Sequence, residues 1–237
     1  MKNLPVIRLL ILAVLLLAFL PAAQAEDNQN PKVLYQTTFS TDPKWETNNP
    51  STNYWDQSRG MYRFSIEPST GMYAYYPNTG SPQFSYPLDY ERGSFRLEYD
   101  VIFDRLDEGA TFRLGFSGSE MDPSKGPNVL SLFTNAKFGR IMWLRLVTNG
   151  NKMMEVNSQK GDTLSSGPTG YYDGPTVKYE LNKTYRVTVD YDEENALLSM
   201  KVAEKTSGQD IWGYFVKVSQ DLHGMNRIYI GSKGDYG

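Results

Sequence analysis

The sequence predicts an all-β fold, an antiparallel sandwich of two sheets of the jelly-roll type. Apolar and polar side chains alternate almost without interruption over residues 94–104, a period typical of a strand with one face on a core. About a dozen short strand-like segments, separated by turn-forming residues, occur along the chain, and none keeps a helical period. The predicted core face of the central strand carries Phe95, Leu97, Tyr99, Val101 and Phe103.

The first half of the chain contains six predicted strands. They cover residues 33–39, 62–67, 72–76, 83–86, 94–104 and 110–118. The second and third are predicted to form a hairpin around a Pro-Ser-Thr-Gly turn. The strand over 110–118 is expected to return beside the central strand, with Arg113 pointing outward.

The second half continues the same pattern. Its predicted strands cover residues 129–133, 141–148, 152–156, 185–191, 198–202, 212–218 and 227–232. Asn149-Gly150 is a strong signal for a two-residue hairpin turn. Residues 157–175 are a long irregular stretch, and loops of this length are usually functional or mobile.

The N-terminus has the features of a secretory signal peptide over residues 1–25. A basic start is followed by an apolar run and by the small residues Ala23 and Ala25. The run is shorter than the ~20 residues of a spanning helix. Residues 26–32 are predicted to be a short polar leader and 33–237 a single β-sandwich domain. The mature chain is therefore expected to be secreted or on the cell surface, without membrane insertion.

Composition excludes several kinds of chemistry. The chain has no cysteine, which excludes disulfides and thiolate metal sites. Its single histidine, His223, excludes multi-histidine zinc sites and is expected to be a surface or turn residue. The formal net charge of −3 gives no reason to expect nucleic acid as a partner.

A family resemblance is carried by four segments: LYQTTFSTDPKWETN, YWDQSRGMYRF, GSFRLEYDV and KTYRVTVDYD. With them, residues 33–236 resemble the concanavalin A-like lectin/glucanase superfamily, particularly its laminin G-like, non-catalytic members. The resemblance implies two curved sheets, with ligands on the concave sheet or on the loops at one rim. It also implies either a domain truncated at its C-terminus or an exposed edge on strand 33–39, since similar domains continue beyond a G-D-Y-G segment.

The polar face of the central strand carries two candidate carboxylates, Glu98 and Asp100. Glucanases of the superfamily carry their carboxylates as E-x-D-x-E or E-x-D-x-x-E. Ile102 and Phe103 stand where the last glutamate would be. A retaining glycosidase needs two carboxyl groups beside the scissile bond, so the resemblance implies a non-catalytic relative.

Three roles stay open for this polar face. One is a set of cross-strand charge pairs with Arg96 and a neighbour such as Arg113. The second is contact with a ligand. The third is catalysis, which the missing glutamate disfavours.

A sugar-binding surface is the second candidate site. A sugar can stack on an aromatic ring while its hydroxyls bond to polar side chains. Trp143 and Arg145 share one face of a strand, although apolar residues on the opposite face also allow Trp143 to be core. The candidate ligand-binding residues are Trp143, Arg145, Tyr171, Tyr172, Asp173, Glu98 and Asp100.

Acidic residues in predicted loops suggest a structural calcium ion, which binds several oxygen ligands. The candidates are Asp42, Asp56, Asp122 and Asp235. No spacing matches a known calcium loop, and aspartate is also a common turn former. The metal site is therefore undefined by the sequence.

These observations predict a secreted or cell-surface, non-enzymatic module that binds a polysaccharide or another glycan. The alternative is a structural or adhesive module of a cell envelope with cell-surface proteins as partners. A polysaccharide hydrolase or lyase is the third hypothesis, and it would need an unrecognised site.

Overall fold

The structure is a computed structural model that describes residues 32–45, 47, 50–64, 88, 90–118, 125–136, 138–160 and 174–234. The chain divides into two units, residues 1–33 and 34–237. Only Lys32 and the exposed Val33 are described in the first unit. In the described ranges, no helix has the length and apolar character needed to span a membrane.

All regular elements of the described residues are β-strands, which confirms the predicted all-β class. They are β1 (Tyr54–Asp56), β2 (Met61–Arg63), β3 (Phe95–Ile102), β4 (Ala110–Ser117), β5 (Asn128–Ala136), β6 (Gly139–Val147), β7 (Met153–Asn157), β8 (Thr184–Asp192), β9 (Leu197–Glu204), β10 (Asp210–Lys217) and β11 (Arg227–Gly234).

The strands pair antiparallel in two larger sheets and one small ribbon. The four-stranded sheet has the order β10-β9-β8-β3, and the five-stranded sheet has the order β11-β4-β5-β6-β7. Strands β1 and β2 pair with each other. The predicted antiparallel sandwich is confirmed in this arrangement.

The expected pairing of β4 with β3 is wrong. Strand β3 pairs with β8, while β4 lies between β5 and β11 in the other sheet. Consecutive strands often pair, but here the connection over 103–109 crosses between the sheets. Phe103 and Leu106 in this connection are buried, and the crossing allows β3 and β4 to face the same core.

Apolar side chains from both sheets form that core. The ring centroids of Phe95 and Phe116 lie 5.0 Å apart, and those of Phe103 and Phe133 lie 4.9 Å apart. Burial of such a side chain stabilises a fold by about 1.5–3 kcal/mol. The alternation that predicts β3 thus has its physical cause in this packing.

The predicted strand over 33–39 is wrong, because residues 32–38 have no regular structure. Side-chain contacts hold the segment instead. The Trp45 indole donates a hydrogen bond to the Tyr35 hydroxyl (2.6 Å), and its ring lies 5.0 Å from that of Tyr62. These aromatic side chains pack against the core, and residues 32–38 are not part of a strand, so the predicted strand edge is not formed.

Strand β2 corresponds to the beginning of the predicted strand 62–67. It pairs with β1, which lies between the predicted strands 33–39 and 62–67 and was not predicted. The expected hairpin partner over 72–76 and the expected strand over 83–86 lie outside the described residues.

The hairpin predicted by Asn149-Gly150 is confirmed by the pairing of β6 with β7. Its turn is longer than predicted. The Asn151 amide donates to the Thr148 carbonyl (2.8 Å), and the Thr148 amide donates to the Lys152 carbonyl (3.0 Å). Asn151 has a φ of 58°, and asparagine is enriched in this left-handed region among non-glycine residues. A three-residue turn of this kind is common in hairpins.

A hydroxyl pair links the two sheets inside the core. The Tyr99 hydroxyl of β3 lies 2.6 Å from the Ser131 hydroxyl of β5, and Ser131 donates to the Leu114 carbonyl of β4 (2.7 Å). Since Ser131 has one hydroxyl hydrogen, Tyr99 is the donor of the first bond. Burial raises the pKa of Tyr99, so its hydroxyl stays protonated.

We expect Tyr99→Phe to lower the free energy of unfolding by about 1 kcal/mol, because one buried hydrogen bond is lost while Ser131 keeps its carbonyl partner. Urea denaturation measures the change. The matched control is Tyr54→Phe, since Tyr54 is 40% exposed on β1. Equal stabilities of the two variants and the wild type would show that the hydroxyl pair contributes nothing.

Candidate functional site

Glu98 and Asp100 lie on the outward face of the four-stranded sheet, where they form cross-strand ion pairs. Arg186 of β8 contacts both: its Nη1 is 3.4 Å from Glu98 Oε1, and its Nε is 2.9 Å from Asp100 Oδ1. Lys205 also contacts Asp100. The side chains of Glu98 and Asp100 are 45% and 30% exposed, and those of Arg186 and Lys205 are 45% and 47% exposed. We call this set, with Arg96 and Asp190, the ion-pair ladder.

The partners in the ladder differ from those predicted. Arg96 pairs with Asp190, with 2.6 Å between Nε and Oδ1. Arg113 points away from the sandwich core, as predicted, although it is only 2% exposed. The prediction that it neighbours this face is wrong, because it lies on β4 in the other sheet. The crossing between β3 and β4 separates it from the ladder.

Ile102 and Phe103, which stand where glucanases of the superfamily carry their last glutamate, face in opposite directions. Ile102 is 39% exposed. Phe103 is buried, and its ring centroid lies 5.3 Å from that of Tyr179. A carboxylate at position 103 would be buried among aromatic rings, where its charged form is strongly disfavoured.

Trp143 and Arg145 lie on the face of the five-stranded sheet that points away from the sandwich core. Trp143 is 3% exposed and its indole donates to the Thr134 hydroxyl (3.2 Å). Arg145 Nε lies 2.8 Å from Glu155 Oε2, with these side chains 16% and 10% exposed. We call this layer the polar sheet face; its members are Arg113, Trp143, Arg145, Glu155 and Asn157.

Trp143 belongs to a small apolar cluster on this face. Its members are Leu130, Leu132, Ile141, Trp143 and Tyr229. Asn157, which is opposite Trp143 on β7, is fully buried, and its Nδ2 makes no hydrogen bond to the residues that the structure describes. The face therefore mixes a second apolar layer with buried polar groups.

The structure does not bring the predicted ligand-binding residues together among those it describes. Glu98 and Asp100 lie outward on one sheet, and Trp143 and Arg145 lie outward on the other. The remaining three lie outside the described residues: Tyr171, Tyr172 and Asp173. Their shared role stays a prediction.

Two calcium candidates form local turns. Asp42 accepts a hydrogen bond from the Lys44 amide (2.9 Å), and Asp56 accepts from the Ser58 amide (3.0 Å) and hydroxyl (2.6 Å). In the part of the chain that is described, no group of three or more acidic, histidine or cysteine side chains is arranged to hold a metal ion. Two further candidates lie outside it: Asp122 and Asp235.

A cleft opens at one end of the sandwich, where β8 and β10 end and β3 begins. Its volume is about 320 Å³. The lining residues come from three loops and from the end of β8, and they include apolar, charged and amide side chains: Arg92, Tyr191, Glu193, Ala196 and 218–223. We call it the rim cleft.

Hydrogen bonds between distant loops hold two walls of the rim cleft. Arg92 Nε lies 3.0 Å from Glu193 Oε1, and the Glu193 amide donates to the Ser94 hydroxyl (3.0 Å). The Val218 amide donates to the Ala196 carbonyl (2.8 Å). One wall, which contains Arg92 and Glu193, is therefore positioned by the segment before β3. The other, which contains Ala196 and Val218, is held by a hydrogen bond between the β8–β9 turn and the segment after β10.

The third wall is held by the β6–β7 turn. The Thr148 hydroxyl donates to Gln220 Oε1 (2.7 Å), and the Gln220 amide group keeps its nitrogen as a hydrogen-bond donor. Asn149 accepts from the His223 amide (3.1 Å) and donates to the His223 carbonyl (3.1 Å). A Cβ at Gly150 would lie 2.6 Å from Gln220 Oε1, so a side chain at this position would displace the Gln220 amide group.

The charged groups of the cleft act on each other. Burial raises the pKa of Tyr191, and the nearby carboxylates of Glu193 and Asp221 raise it further. The hydrogen bond to Glu193 raises the pKa of Arg92, and Asp221 adds to this effect. The cleft therefore combines a neutral phenol, a guanidinium and two carboxylates with the buried side chains of Val218 and Leu222. We call these two side chains and the Tyr191 ring the apolar floor. This set of groups is suited to a small polar ligand.

These residues were not predicted as a site. Tyr191 has the pattern of an inward strand residue, Glu193 lies in a predicted turn, and His223 was expected to be a turn or surface residue. Arg92 and Glu193 are 101 residues apart in sequence. No local motif joins residues so far apart, so only the pairing of the strands could identify the cleft.

Comparison with known proteins gives a broad structural likeness. No protein-family model matches the chain, and no curated protein matches it. Similar solved structures include the CBM40 module of the Ruminococcus gnavus IT-sialidase bound to α2,3-sialyllactose, with 12% identity, a TM-score of 0.33, and coverage of 60% of this chain and 64% of that one. Another is lectin I from Ulex europaeus bound to a methyl glycoside of α-L-fucose, with 13% identity, a TM-score of 0.36, and coverage of 83% and 85%.

The similar structures are mostly legume lectins and this module, but they also include the Scytalido-glutamic peptidase at 11% identity and a TM-score of 0.30. The chain covers less than two thirds of the first structures it matches. These scores are too low to decide what the chain does, and its all-β class is established by its own sheets.

The ladder leads to a prediction about pH. Partial burial acts to raise the pKa of Asp100, but hydrogen bonds from Arg186 and Lys205 outweigh it, so this pKa is lowered. Asp100 therefore stabilises the fold above its unfolded pKa of about 3.9, and this contribution is lost as the pH falls through the lower folded value. We expect Asp100→Asn to cost up to about 1 kcal/mol at pH 7 and progressively less in acid.

Denaturant unfolding of both proteins between neutral and acid pH measures this difference. Asp104→Asn is the control, because Asp104 is 59% exposed and its contact with Arg59 is long, at 3.8 Å. A stability difference that persists unchanged in acid would contradict the assigned role of Asp100.

Proposed function

We propose that this protein is a secreted or cell-surface, laminin G-like module that binds carbohydrate without catalysis, and that the rim cleft is its binding site. The observation that carries the proposal is the cleft itself. Its preformed walls combine an apolar floor with hydrogen-bonding groups at the opening.

The size and lining of the cleft favour a sugar. About 320 Å³ lies at the lower end of the range for small-molecule sites, which begins at about 300 Å³. The floor contains the Tyr191 ring with Val218 and Leu222, whose side chains are buried. A sugar ring presents apolar C–H groups that suit such a floor.

Polar groups surround this floor. Gln220 provides an amide donor, and Asp221 provides carboxylate acceptors for sugar hydroxyls. The hydrogen bonds to Thr148 and Asn149 restrict Gln220 and His223 before a ligand arrives. Such preorganisation reduces the entropy lost on binding.

The polar sheet face is the alternative location for the same function, since the family resemblance implies ligands either on the concave sheet or on the loops at one rim. Its Arg145–Glu155 pair is the part that retains some exposure. The neighbouring Trp143 is almost fully buried, so a ligand reaches its ring only if the protein rearranges. The charged side chains of the rim cleft are more accessible than those of the polar sheet face, since Arg92 is 73% exposed and Glu193 is 39% exposed, and this difference favours the rim cleft.

We expect Asp221→Ala and Gln220→Ala each to weaken binding of a matched sugar about five- to tenfold, because each removes a hydrogen-bonding group. Screening neutral mono- and disaccharides by protein NMR identifies the sugar, and calorimetry measures the dissociation constants. Asp210→Ala is the matched control, because Asp210 is 60% exposed at the start of β10, the opposite end from the cleft.

The outcomes separate the alternatives. Weaker binding by Arg145→Gln, with the cleft variants unchanged, would move the site to the polar sheet face. No binding to any sugar at millimolar concentration would contradict the carbohydrate proposal and favour the structural or adhesive alternative. Release of reducing sugar from a bound polysaccharide would contradict the non-catalytic role.

Export leads to a separate prediction. When the full chain is produced in a secreting host, we expect the mature protein to begin at Glu26, because Ala23 and Ala25 provide the small residues that a signal peptidase needs. Mass spectrometry of the intact protein measures this. A protein retained in cells that still begins at Met1 would contradict secretion.

A further inference from the structure

The rim cleft carries an excess of negative charge. Its lining includes one guanidinium and two carboxylates, those of Arg92, Glu193 and Asp221. At pH 7, with His223 neutral, the formal charge of the lining is therefore −1. A site of one charge sign attracts ligands of the opposite sign and repels ligands of the same sign.

The cation of the cleft is already paired. Arg92 Nε lies 3.0 Å from Glu193 Oε1, and the Glu193 backbone is held by Ser94 (3.0 Å). A carboxylate ligand would have to compete with this intramolecular partner for the guanidinium. Since Glu193 compensates Arg92, Asp221 supplies the excess charge.

Solvent limits the strength of this effect. The Arg92 side chain is 73% exposed and that of Glu193 is 39% exposed, so the cleft is open to water and ions. Charges a few ångströms apart in such surroundings change an affinity by about fivefold. The effect is large enough to rank sugars that differ only in charge.

We infer that the rim cleft selects its sugar by charge: it binds an amino sugar with a free ammonium group more tightly than the neutral sugar, and binds the corresponding uronic acid most weakly. This inference rests on the proposed function and names the class of sugar. Asp221 is the residue that determines the order.

The test compares four probes of one ring configuration at pH 7 and low salt: glucosamine, glucose, N-acetylglucosamine and glucuronic acid. The galactose series is measured in parallel. The N-acetyl sugar has a neutral substituent at the position of the ammonium group, so it separates charge from shape. Protein NMR titration of the wild type and of Asp221→Asn gives the dissociation constants.

We expect the wild type to bind the amino sugar about fivefold more tightly than the neutral sugars and to bind the uronic acid about fivefold more weakly than these. Asp221→Asn removes the excess charge, so the order should flatten while the neutral sugars still bind. Salt at about 1 M reduces the screening length to about 3 Å and should compress the order in the wild type.

Equal binding of the four probes, or tightest binding of the uronic acid, overturns the charge selection and leaves carbohydrate binding intact. An unchanged order in Asp221→Asn overturns the role of that residue. Absence of binding by every probe in both series, together with absence of binding in the wider sugar screen, overturns both the selection and the proposed function.

Discussion

The fold depends on the closure of two sheets over one apolar core. Strand β3 turns its apolar side chains inward against β4 and β5, which belong to the opposite sheet. Within this core the Tyr99 hydroxyl reaches Ser131 and, through it, the Leu114 carbonyl. Packing is non-directional, whereas these bonds have a fixed geometry. The two together set which residues of the sheets face each other.

The inner faces of both sheets pack in the core, so only their outer faces remain for other roles. These outer faces differ in the residues that they present. The four-stranded sheet presents the ion-pair ladder, in which Arg186 and Lys205 neutralise Asp100. The five-stranded sheet presents the polar sheet face, where Arg113 is almost fully buried. Glu98 and Asp100 are therefore paired with exposed cations on the sheet surface.

The rim cleft is a consequence of where the strands end. Antiparallel pairing brings the approach to β3, the β8–β9 turn and the segment after β10 to the same end of the sandwich. Hydrogen bonds from Thr148 and Asn149 then connect the β6–β7 turn to Gln220 and His223. A site assembled in this way has walls that are positioned by hydrogen bonds, and such support is what ligand recognition by loops requires.

The sequence by itself determined the strands and their inward faces, because a period of two along β3, β8 and β9 has one physical cause, burial of alternate side chains. It also determined the β6–β7 hairpin through Asn149-Gly150. Only the tertiary structure decided that β4 crosses to the other sheet, that residues 33–39 pack through side chains and form no strand, and that Arg92 lines one cleft with Glu193 and Asp221. These results depend on contacts between residues far apart in the chain, and a local pattern contains no information about which distant segment it will meet.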